Sequence, residues 1–158
     1  MDEVDAAIAT LLGLGLMTVD EAGRVTGSHG LSLIPSDHRV LFDVGVRFVW
    51  CAVDAVGIPA AMRLNAEVES HCFQCGLPVS LTMRNGKPHG QGRESLRIGL
   101  AVSGCSGKVI QDVCPMLNFF CSQGHADRWA RKVEGAKVIS ILQAAEIGRR
   151  TWSDIANL

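Results

Sequence analysis

One segment restricts this chain more than any other: FVWCAVDAV, residues 48–56. It is apolar enough to demand burial, as strand or as helix, yet it carries a thiol, Cys51, and a carboxylate, Asp54. A charge buried without a partner is very costly, so the fold must supply a partner or keep the acid protonated. If the stretch is helical, the spacing of three puts both side chains on one face. Two readings follow. In one, Cys51 is a small core residue and Asp54 a hydrogen-bonding group at a helix end. In the other, a soft sulfur holds an electrophile or metal while the acid relays a proton. Spacing alone favours packing.

The surrounding composition narrows the class of protein. The chain has 158 residues, 47% of them hydrophobic, which suits one domain or one domain with a small appendage. A net charge of −1 leaves no basic footprint for nucleic acid or an anionic membrane. Tyrosine is absent and aromatics make up 5%, which argues against base-stacking platforms. No apolar run reaches the ~20 residues of a membrane span. The opening MDEVDAAIATLL lacks the positive region of a secretory signal, so a cytoplasmic location is expected. There the six cysteines, at 51, 72, 75, 105, 114 and 121, would stay reduced and be metal-binding, catalytic or buried.

Periodicity and turn signals predict the order of elements. Val4, Ile8, Leu11 and Leu12 form a helical stripe over residues 3–16, closed by Gly13 and Gly15. MTV and RVTG flank a turn at Asp20–Gly23 and read as a hairpin. A helix followed by a hairpin is what the second half of a winged-helix module looks like. LNAEVESHC and LPVSLTM form an antiparallel pair about the turn at residues 72–76, and RNGKPHGQGRE reads as a polar surface loop. LRIGLAVSG and LNFFCS read as core strands, ADRWARKVEGAK as a helix with Trp129 inward, and VISILQAAEIGRRTW as a strand and then a helix. Strand runs followed by helices indicate an α+β fold with a mixed or antiparallel sheet core and flanking helices. Cys114 precedes Pro115, which predicts an extended cysteine next to a bend. His29, His38 and His89 lie in polar, loop-like segments and are assigned to solvent, as is the Arg149–Arg150 pair.

These residues carry a family resemblance. Trp50-Cys51-Ala52-Val53-Asp54, Pro59-Ala60, Ser70-His71-Cys72, residues 76–82 (GLPVSLT), Cys114, Phe119-Phe120 and Trp129-Ala130 occur in an order that resembles the alkylmercury lyase (organomercurial lyase) family over residues 40–145. The resemblance implies protonolysis of a carbon–mercury bond to a hydrocarbon and Hg(II), with no organic cofactor. By motif position it puts the catalytic set on Cys51, Asp54 and Cys114. Cys51 and Cys114 would hold mercury as thiolates, and Asp54 would move the proton. The implied partners are a small organomercurial substrate, small thiols and a mercuric reductase as acceptor of the product ion, with no nucleic acid or membrane. Against the family pattern this is a short member: residues 1–36 read as a truncated winged-helix-like segment and 37–158 as the core domain, and a homodimer would replace the missing cover.

A second group of cysteines stands apart from that set. Cys72 matches a non-catalytic cysteine of the family, whereas Cys75 is additional. C-x-x-C on a hairpin turn is half of a typical structural zinc site, and Cys121-x-x-x-His125 supplies a second half, with His71 an alternative ligand. A redox pair or two ordinary thiols are the competing readings. Cys105, in SGCSGK, reads as a free thiol of a glycine-rich loop, and its glycine spacing is not that of a phosphate loop. Three functions remain in play: a lyase, a metal-binding protein for zinc, copper or mercury, and an enzyme using the same pocket on a non-mercurial substrate. Asp54 favours the lyase, because pure metal storage has no use for a proton donor beside the sulfur.

Overall fold

A computed structural model describes residues 3–101 and 108–153. In chain order it contains α1 (Glu3–Gly13), β1 (Met17–Val19), β2 (Val25–Ser28), β3 (Leu31–Ser32), β4 (His38–Phe42), β5 (Gly45–Val49) and α2 (Ala52–Met62). There follow β6 (Ala66–His71), β7 (Pro78–Arg84), β8 (Lys87–His89), β9 (Arg97–Leu100), β10 (Leu117–Phe120), α3 (Gln123–Ala130), β11 (Lys137–Ser140) and α4 (Ile141–Thr151). Eight strands form one antiparallel sheet in the order β1-β2-β3-β5-β4-β6-β7-β8, and three form a second, β10-β9-β11. The architecture is the expected α+β, with antiparallel sheets and helices against them.

The core is built around α2, whose residues from Ala52 to Ala60 are all buried. A helix that is apolar on every side belongs inside, and here it lies between strands β4–β7 of the large sheet, β10 of the small one, and α4. β6 and β7 alternate buried and exposed positions, turning Val68, Val79, Leu81 and Met83 toward the helix. The crossing of α2 and α4 is made by two glycines. A Cβ on Gly148 would lie 2.0 Å from the Cα of Gly57, so nothing larger permits this approach. Within α1, by contrast, no residue is fully buried, and Val4 is 64% exposed.

Four local expectations need correction. The 48–56 stretch is neither strand nor helix throughout: β5 ends at Val49 and α2 begins at Ala52, with Cys51 at the junction. The RNGKPHGQGRE segment is not all loop, because a turn at Asn85-Gly86, both at positive φ, folds Lys87–His89 back onto β7. The helix expected over ADRWARKVEGAK starts earlier and is shorter. Ser122 caps its start by accepting the His125 N–H, and the helix stops at Ala130, with Trp129 buried as expected. His38 is not solvated: it is buried, shares a 2.7 Å hydrogen bond with Ser70 and packs against Phe119, and burial lowers its pKa to about 4. His89 is exposed and Arg149 and Arg150 pair with Glu146 at the surface. Among the described residues no helix is long and apolar enough to cross a membrane.

Candidate mercury site and a second thiol cluster

Cys51 owes its position to a strand-to-helix corner. Trp50 ends the strand by donating its N–H to the carbonyl of Gly30, and Cys51 is extended (φ −153°, ψ 174°) as the N-cap of α2. Its sulfur takes the place of the usual cap oxygen and accepts the Asp54 N–H at 3.5 Å. The same geometry brings the Asp54 carboxylate back to the sulfur, where the thiol donates to Oδ2 at 3.1 Å. The i, i+3 spacing thus works through a cap, not through a shared face in mid-helix. The helix N-terminus favours a thiolate, but burial outweighs it. Burial, together with the neighbouring Cys114 and Asp54, raises the Cys51 pKa well above its ordinary value. Burial also raises Asp54, from 3.8 to about 6, against the lowering effect of its hydrogen bonds from Cys51.

Cys114 reaches the same place from a different kind of backbone. It is not extended before Pro115, as the sequence suggests, but helical (φ −57°, ψ −40°). A π-helical turn over Val109–Val113 leads into a 3₁₀ turn over Cys114–Met116, and Pro115 takes an early helical position, where its missing N–H costs nothing. The N–H groups of Val109 and Ile110 donate to the carbonyls of Leu14 and Gly15, docking this segment on the chain that follows α1. The ligand atoms of Cys51, Asp54 and Cys114 all lie within 4.8 Å of one another, and all three residues are buried. They sit at the wall of a cavity of about 420 Å³, otherwise largely lined by apolar side chains.

Several residues of that cavity escape sequence reasoning. Gly30 is at φ +91°, and a Cβ there would lie 2.6 Å from Asp54 Oδ1, so glycine is what lets the carboxylate fit. His29, assigned to solvent on sequence, lines the cavity instead, and its carbonyl accepts the Trp152 indole N–H at 3.0 Å. Trp152, Ile147 and Val113 complete the apolar wall. The pair His29-Gly30 between two strands is the only trace of this in the sequence, since a histidine at positive φ beside a glycine marks a tight turn.

The second set of thiols also converges. Cys72, Cys75, Cys121 and His125 bring their donor atoms within 4.8 Å of one another. Cys75 and Cys121 sulfurs are 3.7 Å apart, and His125 Nδ1 lies 3.2 Å from the Cys121 sulfur and 3.5 Å from that of Cys72. Burial acts to raise the Cys72 pKa, but hydrogen bonds from the Cys121 N–H, the His125 ring and the Cys75 and Gln74 N–H groups prevail and lower it to about 6. Burial and the sulfurs of Cys72 and Cys75 push Cys121 up to about 11. His71, the alternative ligand, points outward and is not part of the group. Cys105 lies outside the described residues.

Comparison with known proteins agrees with the geometry. The profile of the alkylmercury lyase family matches residues 31–153. The chain is 29% identical over 146 residues to an alkylmercury lyase of Bacillus cereus, covering 92% of this chain and 66% of that protein. It is 28% identical over 130 residues to one from Streptomyces lividans, covering 82% and 60% respectively. The chain therefore spans less than two thirds of the length of these relatives. In fold it resembles the crystal structure of the mercury-bound form of MerB2, with a TM-score of 0.84 and 22% identity over 97% of this chain and 75% of that one. The chain belongs to the alkylmercury lyase family.

Proposed function

We propose that this member of the alkylmercury lyase family cleaves carbon–mercury bonds by protonolysis at Cys51, Asp54 and Cys114, releasing a hydrocarbon and Hg(II). The observation that carries the reading is the 3.1 Å hydrogen bond from the Cys51 thiol to Asp54, with the Cys114 sulfur close enough for one soft ion to touch both sulfurs. A storage site would gain nothing from holding its thiol protonated against a carboxylate. Here the thiol proton already faces the group that would receive it.

In R–Hg–X, the Cys51 sulfur displaces X⁻, and as the sulfur–mercury bond forms and acidifies the thiol its proton passes to Asp54, whose raised pKa of about 6 makes it a stronger base than an ordinary carboxylate. The Cys114 sulfur adds to the same mercury, its proton leaving with X, and the second thiolate raises electron density at the metal and weakens the Hg–C bond. Asp54 then delivers its proton to the departing carbon. The hydrocarbon leaves with the Hg–C electron pair and that proton, and Hg(II) stays bound to two sulfurs. Two molecules of a small thiol reprotonate the cysteines and carry Hg(II) away as a dithiolate, for which a mercuric reductase is the fitting acceptor. The apolar cavity suits the alkyl or aryl group and keeps competing water from the acid. Exposed apolar residues on and after α1, Val4 and Leu14 among them, support a homodimer.

The test is incubation of the purified chain with a model organomercurial and excess small thiol, measuring hydrocarbon and released Hg(II) together. Stoichiometric binding of the compound with no hydrocarbon would reject the lyase and leave a metal-binding protein. This chemistry has no use for the Cys72, Cys75, Cys121 and His125 group, for which a structural zinc ion is the fitting occupant.

A further inference from the structure

We propose that Cys72, Cys75, Cys121 and His125 hold a resident zinc ion that ties the β6–β7 connection to the β10–α3 junction and fixes the strand leading back to Cys114. Two of the separations match a metal tetrahedron, and a third, His125 Nδ1 to the Cys121 sulfur at 3.2 Å, is somewhat shorter. Two Zn–S bonds of about 2.3 Å at the tetrahedral angle set sulfurs about 3.8 Å apart, and a sulfur and an imidazole nitrogen about 3.6 Å apart. The Cys75–Cys121 pair is at 3.7 Å and the Cys72–His125 pair at 3.5 Å. Four donors of the right kind fill a tetrahedral coordination sphere, as a structural site requires.

The backbone around these donors is built for the purpose. The Cys72 N–H donates to the Leu77 carbonyl and the Gly76 N–H to that of Cys72, folding the C-x-x-C into a closed turn. The His125 ring lies 3.5 Å from the Cys72 sulfur and 3.2 Å from that of Cys121, between the two segments. His125 stands in the first turn of α3, held by the Ser122 cap. One ion would therefore join two segments that are distant in sequence, residues 72–75 and 121–125.

The tie continues toward the other site. The Phe73 N–H, inside the C-x-x-C, donates to the Phe119 carbonyl of β10 at 2.8 Å, and the Phe73 ring meets Phe120 edge-on at 6.1 Å. Cys121 directly follows β10, and at the strand's other end the Asn118 amide donates to the Pro115 carbonyl at 2.9 Å, next to Cys114. The zinc ion itself does not depend on the lyase reading; its effect on Cys114 does.

Metal content of the full chain, purified under reducing conditions, tests the site. About one zinc per chain is expected in the wild type and in Cys51→Ser/Cys114→Ser, with zinc lost in Cys75→Ser, whose side chain is exposed in the chain as described. Cobalt replacement should give the intense visible bands of a tetrahedral thiolate site in the first two proteins and not in the third. A metal-free wild type that takes up no cobalt, zinc that follows Cys51 and Cys114 instead, or a Cys75–Cys121 disulfide in the native protein would overturn the site. In Cys75→Ser, cleavage should fall at least tenfold while the fold persists by circular dichroism; unchanged cleavage after zinc loss would overturn the link to Cys114. Zinc present in a wild type that cleaves nothing would reject the lyase reading and leave the zinc site standing.

Discussion

Two clusters of soft donors lie in this molecule, and their differences matter more than their common sulfur. Cys51, Asp54 and Cys114 are fully buried, number three, include an acid, and open on an apolar cavity. Cys72, Cys75, Cys121 and His125 number four, reach the surface and include no acid. In the first, the Cys51 sulfur keeps its proton until a soft ligand arrives, because burial disfavours its thiolate. In the second, hydrogen bonds lower the Cys72 pKa to about 6 and favour its thiolate in advance. An incomplete donor set with protons at hand suits turnover, and a complete one suits permanent occupancy.

The comparison breaks most visibly through activity. Cys51→Ala and Cys114→Ala should each reduce hydrocarbon release to the background rate, because each removes a bond to mercury. Asp54→Ala should keep mercury binding, measured by equilibrium dialysis, while cleavage slows by about 10²–10⁴-fold, the usual worth of a positioned general acid. Equal loss of binding in Asp54→Ala would make the carboxylate a ligand instead of a proton carrier.

Stability against pH separates the clusters next. The Asp54 pKa is about 6 in the folded chain against an ordinary 3.8, so between these values the folded state binds more protons than the unfolded one. Stability from this group is therefore fully present below about pH 4 and is lost as pH rises through 6, by up to about 3 kcal/mol. Denaturant melts of the wild type at pH 4.5 and 7 should show this fall beside other contributions, and Asp54→Asn should remove it. A variant with the wild-type slope would mean that Asp54 is not desolvated.

How much of this the sequence discloses follows from what each feature depends on. The C-x-x-C and C-x-x-x-H spacings are local, and sequence reads each of them; that they share one point in space depends on Phe73 pairing with Phe119, which no spacing records. Cys51 and Asp54 are legible as a pair, but the reason offered, one helical face, is not the one realised, because the sulfur serves as the helix cap. Pro115 misleads about Cys114: the usual bias against helix before proline is overridden by the π turn docked on Leu14 and Gly15. His29 and His38 are misread for one reason. Polar neighbours in sequence say nothing of Trp152 or Phe119, which reach them from distant elements.

A smaller effect comes from the glycine that accommodates the acid. Gly30→Ala puts a methyl at φ +91° and 2.6 Å from Asp54 Oδ1, so either the turn or the carboxylate must move. The backbone strain alone is worth about 1–3 kcal/mol in thermal or denaturant melts. Cleavage should fall with it, while zinc content should be unchanged, because the cluster at Cys72 draws its donors from other segments, residues 72–75 and 121–125. Loss of zinc in Gly30→Ala would mean that the two clusters are not independent.

The smallest effect separates chemistry from folding within a single side chain. Cys51 both faces the substrate cavity and caps α2. Cys51→Ser deletes the soft ligand but leaves a hydroxyl that is, if anything, the better cap. The variant should therefore lose cleavage entirely while its stability stays within about 1 kcal/mol of the wild type. Cys75→Ser should show the opposite balance in stability, losing the cross-link between the β6–β7 connection and the β10–α3 junction along with its metal. If Cys51→Ser instead unfolds as readily as Cys75→Ser, the thiol at the strand-to-helix corner is holding the core together, and a sulfur free to take up mercury is not what that corner provides.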